Sequence, residues 1–329
     1  MWREICGAAL TFCILFFNVE NLYDPFDDPL KDDNEFTPSS ERHWTWQRFE
    51  KKRDGIAQTI IAVADETGDL PALVGLAEVE NRLVVSQLVR KTMLEELGYG
   101  YVHRESPDAR GIDVALLYRK DLLQVVTVDS LRVPDVVTRD ILYVTMRCRI
   151  ESGMTNINPV MPGSDISVMP GSAPSVMPGS DRASLHVFVV HLPSKRGGEK
   201  ASQGRRDAAL AVLEHAIDSL LTLDPENPIV VMGDFNDTDP RVSGLSQPPF
   251  CGPKPVPGTL KYHGRWEQID WFFVSSALLD SAAMQIFAPP FLLEPDASYL
   301  GTKPRRTYLG PRYHGGLSDH LPIYMKIFP

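Results

Sequence analysis

The chain has 329 residues, of which 43% are hydrophobic and 23% are charged. This composition excludes a collagen, a coiled coil and a wholly disordered chain, and it is typical of an ordinary globular protein. The formal net charge of −10 argues against a protein held on nucleic acid by bulk positive charge. A nucleic-acid enzyme stays open, because bound divalent cations or a local basic rim reverse the electric field at a site.

Apolar strands alternate with amphipathic helices along the chain. Phe49, Ile56 and Ile60 recur at the spacing that is typical of one helix face. Helices are predicted over 46–66, 83–97 and 199–221, and strands over 12–17, 71–81, 113–118, 141–150, 185–191, 228–232, 268–274 and 321–328. This order predicts an α/β architecture with two sheets between helical layers. No linker divides the chain, so we expect one domain over 1–329.

A low-complexity tract interrupts the pattern over 151–184. The motif VMPGS occurs three times, beginning at Val160, Val168 and Val176, so the repeat is eight residues long. Three short copies that each contain proline cannot build a solenoid core. We therefore predict a disordered insertion between two strands, without a catalytic role.

The N-terminus leaves the compartment open. An apolar run over 5–17 follows Arg3 and is similar to the core of a signal peptide. It continues, however, into FFNVENLYD, which carries candidate catalytic residues. The run is too short to span a membrane, so no transmembrane segment is predicted. A periplasmic or secreted protein and a cytoplasmic one are both compatible with this start.

Polar, acidic and histidine residues lie just past the ends of the apolar strands, where α/β folds place their sites. These residues are Asn18, Glu20, Glu78, His191, Asp234, Asn236, Asp319 and His320. Asp270 lies inside a further apolar run, QIDWFFV. The pattern predicts a site at the strand ends.

Asp234 and Asn236 stand two residues apart in the segment GDFND. Their side chains point the same way if the chain stays extended, and a carboxylate beside an amide suits a nucleophilic water and a phosphate oxygen. An Asx-rich turn explains the same residues. Taken alone, the segment leaves both interpretations open.

His320 follows Asp319 at the start of the last strand, which makes it a candidate general base near neutral pH. Asp270 is costly in an apolar strand unless it has a partner. One candidate partner is a histidine whose tautomer the carboxylate fixes. The other is an arginine in a buried salt bridge.

Glu78 ends a buried strand in GLAEVEN. Mg²⁺ and Mn²⁺ prefer hard oxygen ligands and bind through one or two carboxylates plus substrate phosphate. The four cysteines lack the spacing of a zinc site. The predicted cofactor is therefore Mg²⁺ or Mn²⁺.

The motifs FNVENL, GLAEVEN, HLPSK, GDFND, QIDWFFV and GLSDHLPI stand together in the order found in the endonuclease/exonuclease/phosphatase superfamily. The chain resembles this superfamily, which includes pancreatic deoxyribonuclease, over 12–327 apart from the repeat tract. ESPDARGIDVALLY is similar to an uncharacterised bacterial branch. The resemblance implies a deoxyribonuclease-like, four-layered α/β sandwich, in which two mixed sheets face each other and helices cover the outside.

The resemblance also implies which residues hold the metal and the phosphate. Glu78 matches the principal metal-binding residue, while Glu20 and Asp319 match further acids on the metal side. Asp234 and Asn236 match the pair that positions the attacking water and the phosphate. The implied chemistry is hydrolysis by a water that attacks in line with the leaving group.

The remaining matches concern proton transfer. His320 matches the general base or phosphate-contacting histidine, and Asp270 matches the residue that orients it. Asn18 matches a supporting asparagine. His191 matches a second histidine that contacts phosphate or assists the leaving group, and Asp113 is our candidate for its partner.

Cations beside these motifs are candidate substrate-binding groups. Lys195 and Arg196 follow His191, and Arg110 precedes a strand. Guanidinium and ammonium groups at these positions suit a phosphodiester or a polyphosphate. Ordinary solvated surface charges explain them equally well.

The function predicted first is a divalent-metal-dependent phosphodiesterase, an endonuclease of DNA or RNA or a nucleotide-directed phosphohydrolase. The alternatives are a phosphomonoesterase on inositol phosphates, a sphingomyelinase-like lipid phosphodiesterase, and a non-catalytic binding protein of the same fold. Each matched position carries a competent residue, which favours an enzyme. We expect a monomer without a stable protein partner.

Overall fold

The computed structural model describes residues 11–149, 184–194 and 199–328. The predicted insertion over 151–184 falls outside these residues except for Ser184, and it stays a prediction. Lys195 and Arg196 also lie outside the described residues. Within the described ranges, no helix is both long enough and apolar enough to cross a membrane.

The strands are short and mostly buried. In chain order they are β1 (Phe12–Leu22), β2 (Leu73–Val79), β3 (Tyr99–His103), β4 (Asp113–Arg119), β5 (Leu123–Leu131), β6 (Ile141–Cys148), β7 (Leu185–His191), β8 (Ile229–Asp234), β9 (Leu260–Tyr262), β10 (Arg265–Glu267), β11 (Asp270–Val274), β12 (Ala282–Ile286), β13 (Leu293–Pro295), β14 (Thr302–Pro304), β15 (Tyr308–Leu309), β16 (Arg312–Tyr313) and β17 (Ile323–Ile327). The helices are α1 (Trp46–Thr67), α2 (Arg82–Arg90), α3 (Glu199–Leu223) and α4 (Ser276–Leu279), with 3₁₀ turns at Asn34–Phe36 and Pro290–Leu292.

Two mixed sheets form the core. The first has the order β12-β17-β1-β2-β4-β3, and the second has the order β11-β8-β7-β6-β5. Each sheet contains one parallel pair, β1 with β2 and β7 with β8, and the other neighbours are antiparallel. Both parallel pairs consist of nearly continuous apolar residues, as strands covered on both faces require.

The sheets pack face to face, and Gly75 marks how closely they approach. A Cβ atom on Gly75 of β2 would lie 2.6 Å from Sδ of Met232 on β8, so any larger residue there would displace the Met232 side chain. On the outside, α1 packs on β1 and α2 packs against β3. The buried face of α3, with Leu213 and Ile217, joins the same core. The predicted four-layered α/β sandwich is therefore confirmed.

The ends of the helices are set by side-chain hydrogen bonds and glycine caps, and apolar periodicity predicts them less well. The helix predicted over 83–97 ends at Arg90, and the following residues form turns. The Thr92 hydroxyl donates to the Leu88 carbonyl at 2.6 Å and accepts from the Leu94 amide at 3.3 Å. Such a side chain competes with the next helical hydrogen bonds. Helix α1 continues to Thr67, where Gly68 adopts φ +84° and closes it.

Candidate active site

The site lies where the two parallel strand pairs end. Strand register places His191, Asp234 and Asp270 in one row, because Asp234 pairs with His191 across the parallel pair β7–β8 and with Asp270 across the antiparallel pair β8–β11. Glu78 enters from β2 in the opposite sheet, as does Asn18 from β1. The sandwich therefore brings residues from both sheets to one edge.

Local backbone geometry orients the strand-end side chains. They surround the space between Glu78, His191, Asp234 and His320, which is called the cleft below. Glu20, Asn21, Glu78 and Asn236 all have positive φ, between 50° and 63°, although none of them is glycine. The register of β1 with β2 shifts between Asn18 and Leu22, and that of β2 with β4 shifts at Glu78. Irregularities of this kind re-aim side chains, and strained backbone of this kind concentrates at functional sites.

Asp270 has a histidine partner. Its carboxylate lies 2.9 Å (Oδ2) and 3.2 Å (Oδ1) from Nδ1 of His320, and both residues are buried. Burial disfavours an imidazolium, but the charge and hydrogen bond of Asp270 hold the pKa of His320 well above its ordinary value. The other ring nitrogen, Nε2, points to Oδ2 of Asp234 at 3.9 Å. The arrangement fixes the ring and aims Nε2 at the cleft.

Asp234 lies at the centre of the hydrogen bonds in the site. Its Oδ2 accepts from Nδ2 of Asn18 at 3.1 Å, and its Oδ1 accepts from the Asn236 backbone amide at 2.9 Å. Burial and the neighbouring Asp270 charge raise the pKa of Asp234 to about 7. Nδ2 of Asn236 donates to the Leu192 carbonyl at 2.9 Å, so the GDFND segment forms an Asx turn within a shared polar site.

Glu78 lies across from this row and keeps one oxygen open. Its Oε2 accepts from the Asn21 amide at 2.8 Å, whereas Oε1 accepts no hydrogen bond from any described residue. The nearest basic side-chain nitrogens are Nε2 of His191, 3.8 Å from Oε1, and Nη2 of Arg110, 3.9 Å from Oε2. Arg110 donates to Oδ1 of Asn21 at 2.5 Å. The open Oε1 faces the cleft.

His191 is enclosed between the two acids. Its Nε2 lies 3.6 Å from Oδ2 of Asp234 and 3.8 Å from Glu78. Burial, followed by the positive charges of Arg139 and Arg110, lowers its pKa well below the ordinary value. The ring is therefore neutral and available as a hydrogen-bonding group near neutral pH.

Asp113 requires a correction, because it does not contact His191. Oδ1 of Asp113 accepts from the backbone amide of Ser106 at 3.1 Å and from its hydroxyl, while Oδ2 lies 3.6 Å from Nε2 of His103. The residue is 2% exposed, and these contacts hold the β3–β4 connection. The undetected strand β3 brings in His103, and it explains the wrong partner.

Glu20 and Asp319 share a guanidinium. Arg306 donates to Oε1 of Glu20 from Nε at 3.0 Å and from Nη2 at 2.8 Å, and its Nη2 lies 3.0 Å from Oδ2 of Asp319. The second oxygen of Glu20 accepts from the Thr307 amide at 2.8 Å. Burial and the charge of Asp319 raise the pKa of Glu20 to about 7. Both of its oxygens are therefore already bonded.

Sequence reasoning missed Arg306 and Lys52. Lys52 is 2% exposed, and its ammonium donates to the Glu20 carbonyl and, at 2.6 Å, to Oγ1 of Thr307. Burial lowers its pKa to about 8. A signal existed for Lys52, because it falls between Phe49 and Ile56 on the apolar face of α1. No comparable signal marks Arg306 in its loop.

The acidic groups fit a hard divalent cation in part. Among the described residues, two groups lie close enough to hold a metal ion: Asp234 with Asp270 and His320, and His103 with Glu105 and Asp113. Glu78 belongs to neither group, yet its open carboxylate oxygen is the kind of ligand that Mg²⁺ takes together with water and phosphate. The first group is occupied internally by the His320–Asp270 pair. Glu78 is therefore the better fit.

The architecture and the row of strand-end acids and histidines define an α/β sandwich with a phosphoester-hydrolase type of site. A model of the endonuclease/exonuclease/phosphatase family matches residues 13–158, 174–248 and 253–328. The chain belongs to this family of phosphoester hydrolases. No curated protein sequence matches it significantly.

Solved structures share the fold at low sequence identity. A truncated TDP2 from Caenorhabditis elegans is 15% identical with a TM-score of 0.56, covering 97% of this chain and 98% of its own. An endonuclease/exonuclease/phosphatase family protein from Bacteroides thetaiotaomicron is 13% identical with a TM-score of 0.53, covering 97% and 98%. TDP2 from D. rerio, solved with a single-strand DNA product, is 15% identical with a TM-score of 0.50, covering 97% and 99%.

Proposed function

We propose that this chain is a divalent-metal-dependent phosphodiesterase that hydrolyses a phosphodiester of DNA, RNA or a nucleotide by in-line attack of an activated water. One observation carries the proposal. The Asp234 carboxylate is held by Asn18 and Asn236 and faces both His320 and His191. These are the groups that water activation and charge stabilisation at phosphorus require.

Asp234 is the proposed general base. Its pKa, raised to about 7 by burial and by Asp270, lies near the optimum for proton transfer at neutral pH. The two amide hydrogen bonds orient the carboxylate toward the cleft. A water held by Asp234 would lose its proton to this group as it attacks the phosphorus.

His320 is the proposed phosphate contact. A pKa held well above the ordinary value by Asp270 keeps the ring protonated at neutral pH, and a protonated ring cannot accept a proton from water. An imidazolium instead donates a charge-assisted hydrogen bond to an anionic oxygen. Of the two roles predicted for His320, the geometry and charge favour this one.

Glu78 is the proposed metal ligand, because its Oε1 is open toward the cleft. A divalent ion held there would polarise a phosphoryl oxygen and stabilise charge on the leaving oxygen. His191, neutral and 3.8 Å from the same carboxylate, is the proposed hydrogen-bond partner of a phosphate or leaving-group oxygen. The protein thus surrounds one phosphoryl position from both sheets.

A nucleic-acid or nucleotide substrate is favoured by two observations. The solved D. rerio TDP2 holds a single-strand DNA product, and its fold is shared with this chain. Two half-exposed guanidiniums, Arg110 and Arg306, border the cleft of a chain whose net charge is −10. These two guanidiniums lie beside carboxylates and are donors suited to a phosphodiester.

Hydrolysis of bis-p-nitrophenyl phosphate and p-nitrophenyl phosphate, compared with Mg²⁺, Mn²⁺ and EDTA, tests the proposal. We expect metal-dependent cleavage of the diester, lost in His320→Ala and retained in His215→Ala, a control at an exposed position of α3. Short DNA and RNA oligonucleotides then identify the natural class. A preference for the monoester would refute the phosphodiesterase assignment, as would full activity of His320→Ala.

A further inference from the structure

Arg306 occupies an unusual position for an arginine at a metal-dependent site. It joins Glu20 and Asp319, with nitrogen–oxygen distances of 2.8 to 3.0 Å. Both acids follow or precede buried strands at the edge where Glu78 lies. The guanidinium therefore stands between two of the carboxylates that the sequence predicted on the metal side.

Glu20 has no oxygen left for a metal ion. Arg306 donates twice to Oε1, and the Thr307 amide donates to Oε2 at 2.8 Å. The side chain is only 6% exposed. Direct metal binding would break these charge-assisted hydrogen bonds and bring two cations together, and both changes are unfavourable.

The surrounding contacts hold this arrangement in place. Lys52, fully enclosed behind it, donates to the Glu20 carbonyl and to Oγ1 of Thr307. Ser318, next to Asp319 in sequence, donates to the Asn18 carbonyl at 2.6 Å. The loops that carry Arg306 and Asp319 are thus tied to β1 through Lys52 and Ser318.

The opposite edge of Arg306 remains open. The side chain is 41% exposed, and within the described residues Nη1 makes no hydrogen bond or ion pair. Nη1 therefore keeps its N–H donors for a charge-assisted hydrogen bond to a phosphate oxygen. Asp319, which pairs with the guanidinium at 3.0 Å, directly precedes His320, so Arg306 lies beside the candidate site.

We propose that Arg306 is a built-in cation of the active site: held by Glu20 and Asp319, it excludes a divalent ion from these acids and contacts a substrate phosphate. The metal part of this inference rests on the proposed function. With Glu20 and Asp319 held by Arg306, we expect one divalent ion per chain, bound at Glu78.

Titration of the metal-free protein with Mn²⁺, followed by calorimetry and by the electron paramagnetic resonance of free Mn²⁺, counts the sites without measuring activity. We expect one Mn²⁺ per wild-type chain and at least tenfold weaker binding in Glu78→Gln. Arg306→Gln should gain a second, weaker site, because two carboxylates lose their guanidinium. Arg306→Lys and the control Arg305→Gln, at the exposed neighbouring position, should stay at one.

The diester assay tests the phosphate contact. Arg306→Gln should raise KM several-fold more than Arg305→Gln, and Arg306→Lys should recover part of this loss. Circular dichroism verifies that each variant is folded, and Arg306→Lys carries the test if Arg306→Gln is not. Two Mn²⁺ per wild-type chain, or an unchanged KM in Arg306→Gln, would overturn this inference and leave the phosphodiesterase proposal standing. A wild-type chain that binds no Mn²⁺ would overturn both.

Discussion

Glu78 and Glu20 begin from nearly the same local circumstances and end in different chemical states. Each lies near the end of a strand of the same parallel pair, and each has a left-handed backbone, with φ of 63° and 50°. Yet Glu78 accepts one hydrogen bond and keeps Oε1 open, whereas Glu20 accepts three and is closed by Arg306 and Thr307. A strand-end carboxylate is therefore available to a metal only if the loops packed on it leave it so.

The largest expected effect is on kcat/KM, when the charge of Glu78 or of Glu20 is removed. We expect Glu78→Gln to lower kcat/KM for the diester by about 10²–10³-fold, because charge stabilisation at the phosphoryl group is lost. Glu20→Gln should lower it by about tenfold, or about 1.4 kcal/mol, because it only loosens Arg306. Steady-state kinetics in Mg²⁺, with Glu95→Gln as an exposed control, measure the difference. Equal losses in the two variants would break the comparison.

The pKa values of Asp234 and Glu20 are both raised to about 7. The pH profile of the rate in variants shows which of the two carboxylates controls the reaction. A general base must be ionised, so the rate should fall below the pKa of Asp234 by about tenfold per pH unit. If Asp234 is responsible, the acid limb persists in Glu20→Gln. Loss of the acid limb in Glu20→Gln would reassign it to Glu20.

Thermal stability should rank the two variants in the reverse order, with Glu20→Gln losing more than Glu78→Gln. Glu20→Gln removes one of the two acids that hold Arg306, whereas Asp319 remains, and because Arg306 is partly exposed we expect a cost of only about 1–2 kcal/mol. This corresponds to a Tm lower by about 1.5–3 °C for a chain of this size. Glu78→Gln removes no ion pair shorter than 3.8 Å and should change Tm by less than about 1 °C. Thermal unfolding followed by circular dichroism measures both. A larger loss in Glu78→Gln would contradict the comparison.

These differences also mark what the sequence allowed us to predict. Asn18, Asp234 and His320 each adjoin a buried apolar strand, and the edge at which such strands meet follows from the fold class. Residues whose position depends only on their strand are therefore recognisable without coordinates. The sandwich architecture follows from the same strand and helix order.

Partnerships between loops could not be predicted in this way. Arg306 and Glu20 are 286 residues apart, and no periodicity connects a short irregular loop with a strand end. Asp113 was assigned to its correct strand, but the partner was wrong because β3, which is only five residues long, has no strong alternation. The strand on which a side chain lies follows from the local sequence, whereas the groups that hydrogen-bond to that side chain depend on tertiary packing.

Arg110 gives the smallest expected effect. It is the arginine beside Glu78, as Arg306 is the arginine beside Glu20, but its Nη2 lies 3.9 Å from Oε2 of Glu78 and makes no direct hydrogen bond to it. Its guanidinium instead reaches Glu78 through Asn21. If Arg110 binds substrate phosphate, Arg110→Lys should raise KM by about 3–10-fold, the loss of one hydrogen bond, with kcat nearly unchanged. Arg119→Lys, at the far end of β4, is the matched control. A fall in kcat with unchanged KM would instead make Arg110 a positioning residue for Glu78, because the carboxylate would then depend on its neighbouring arginine just as Glu20 does.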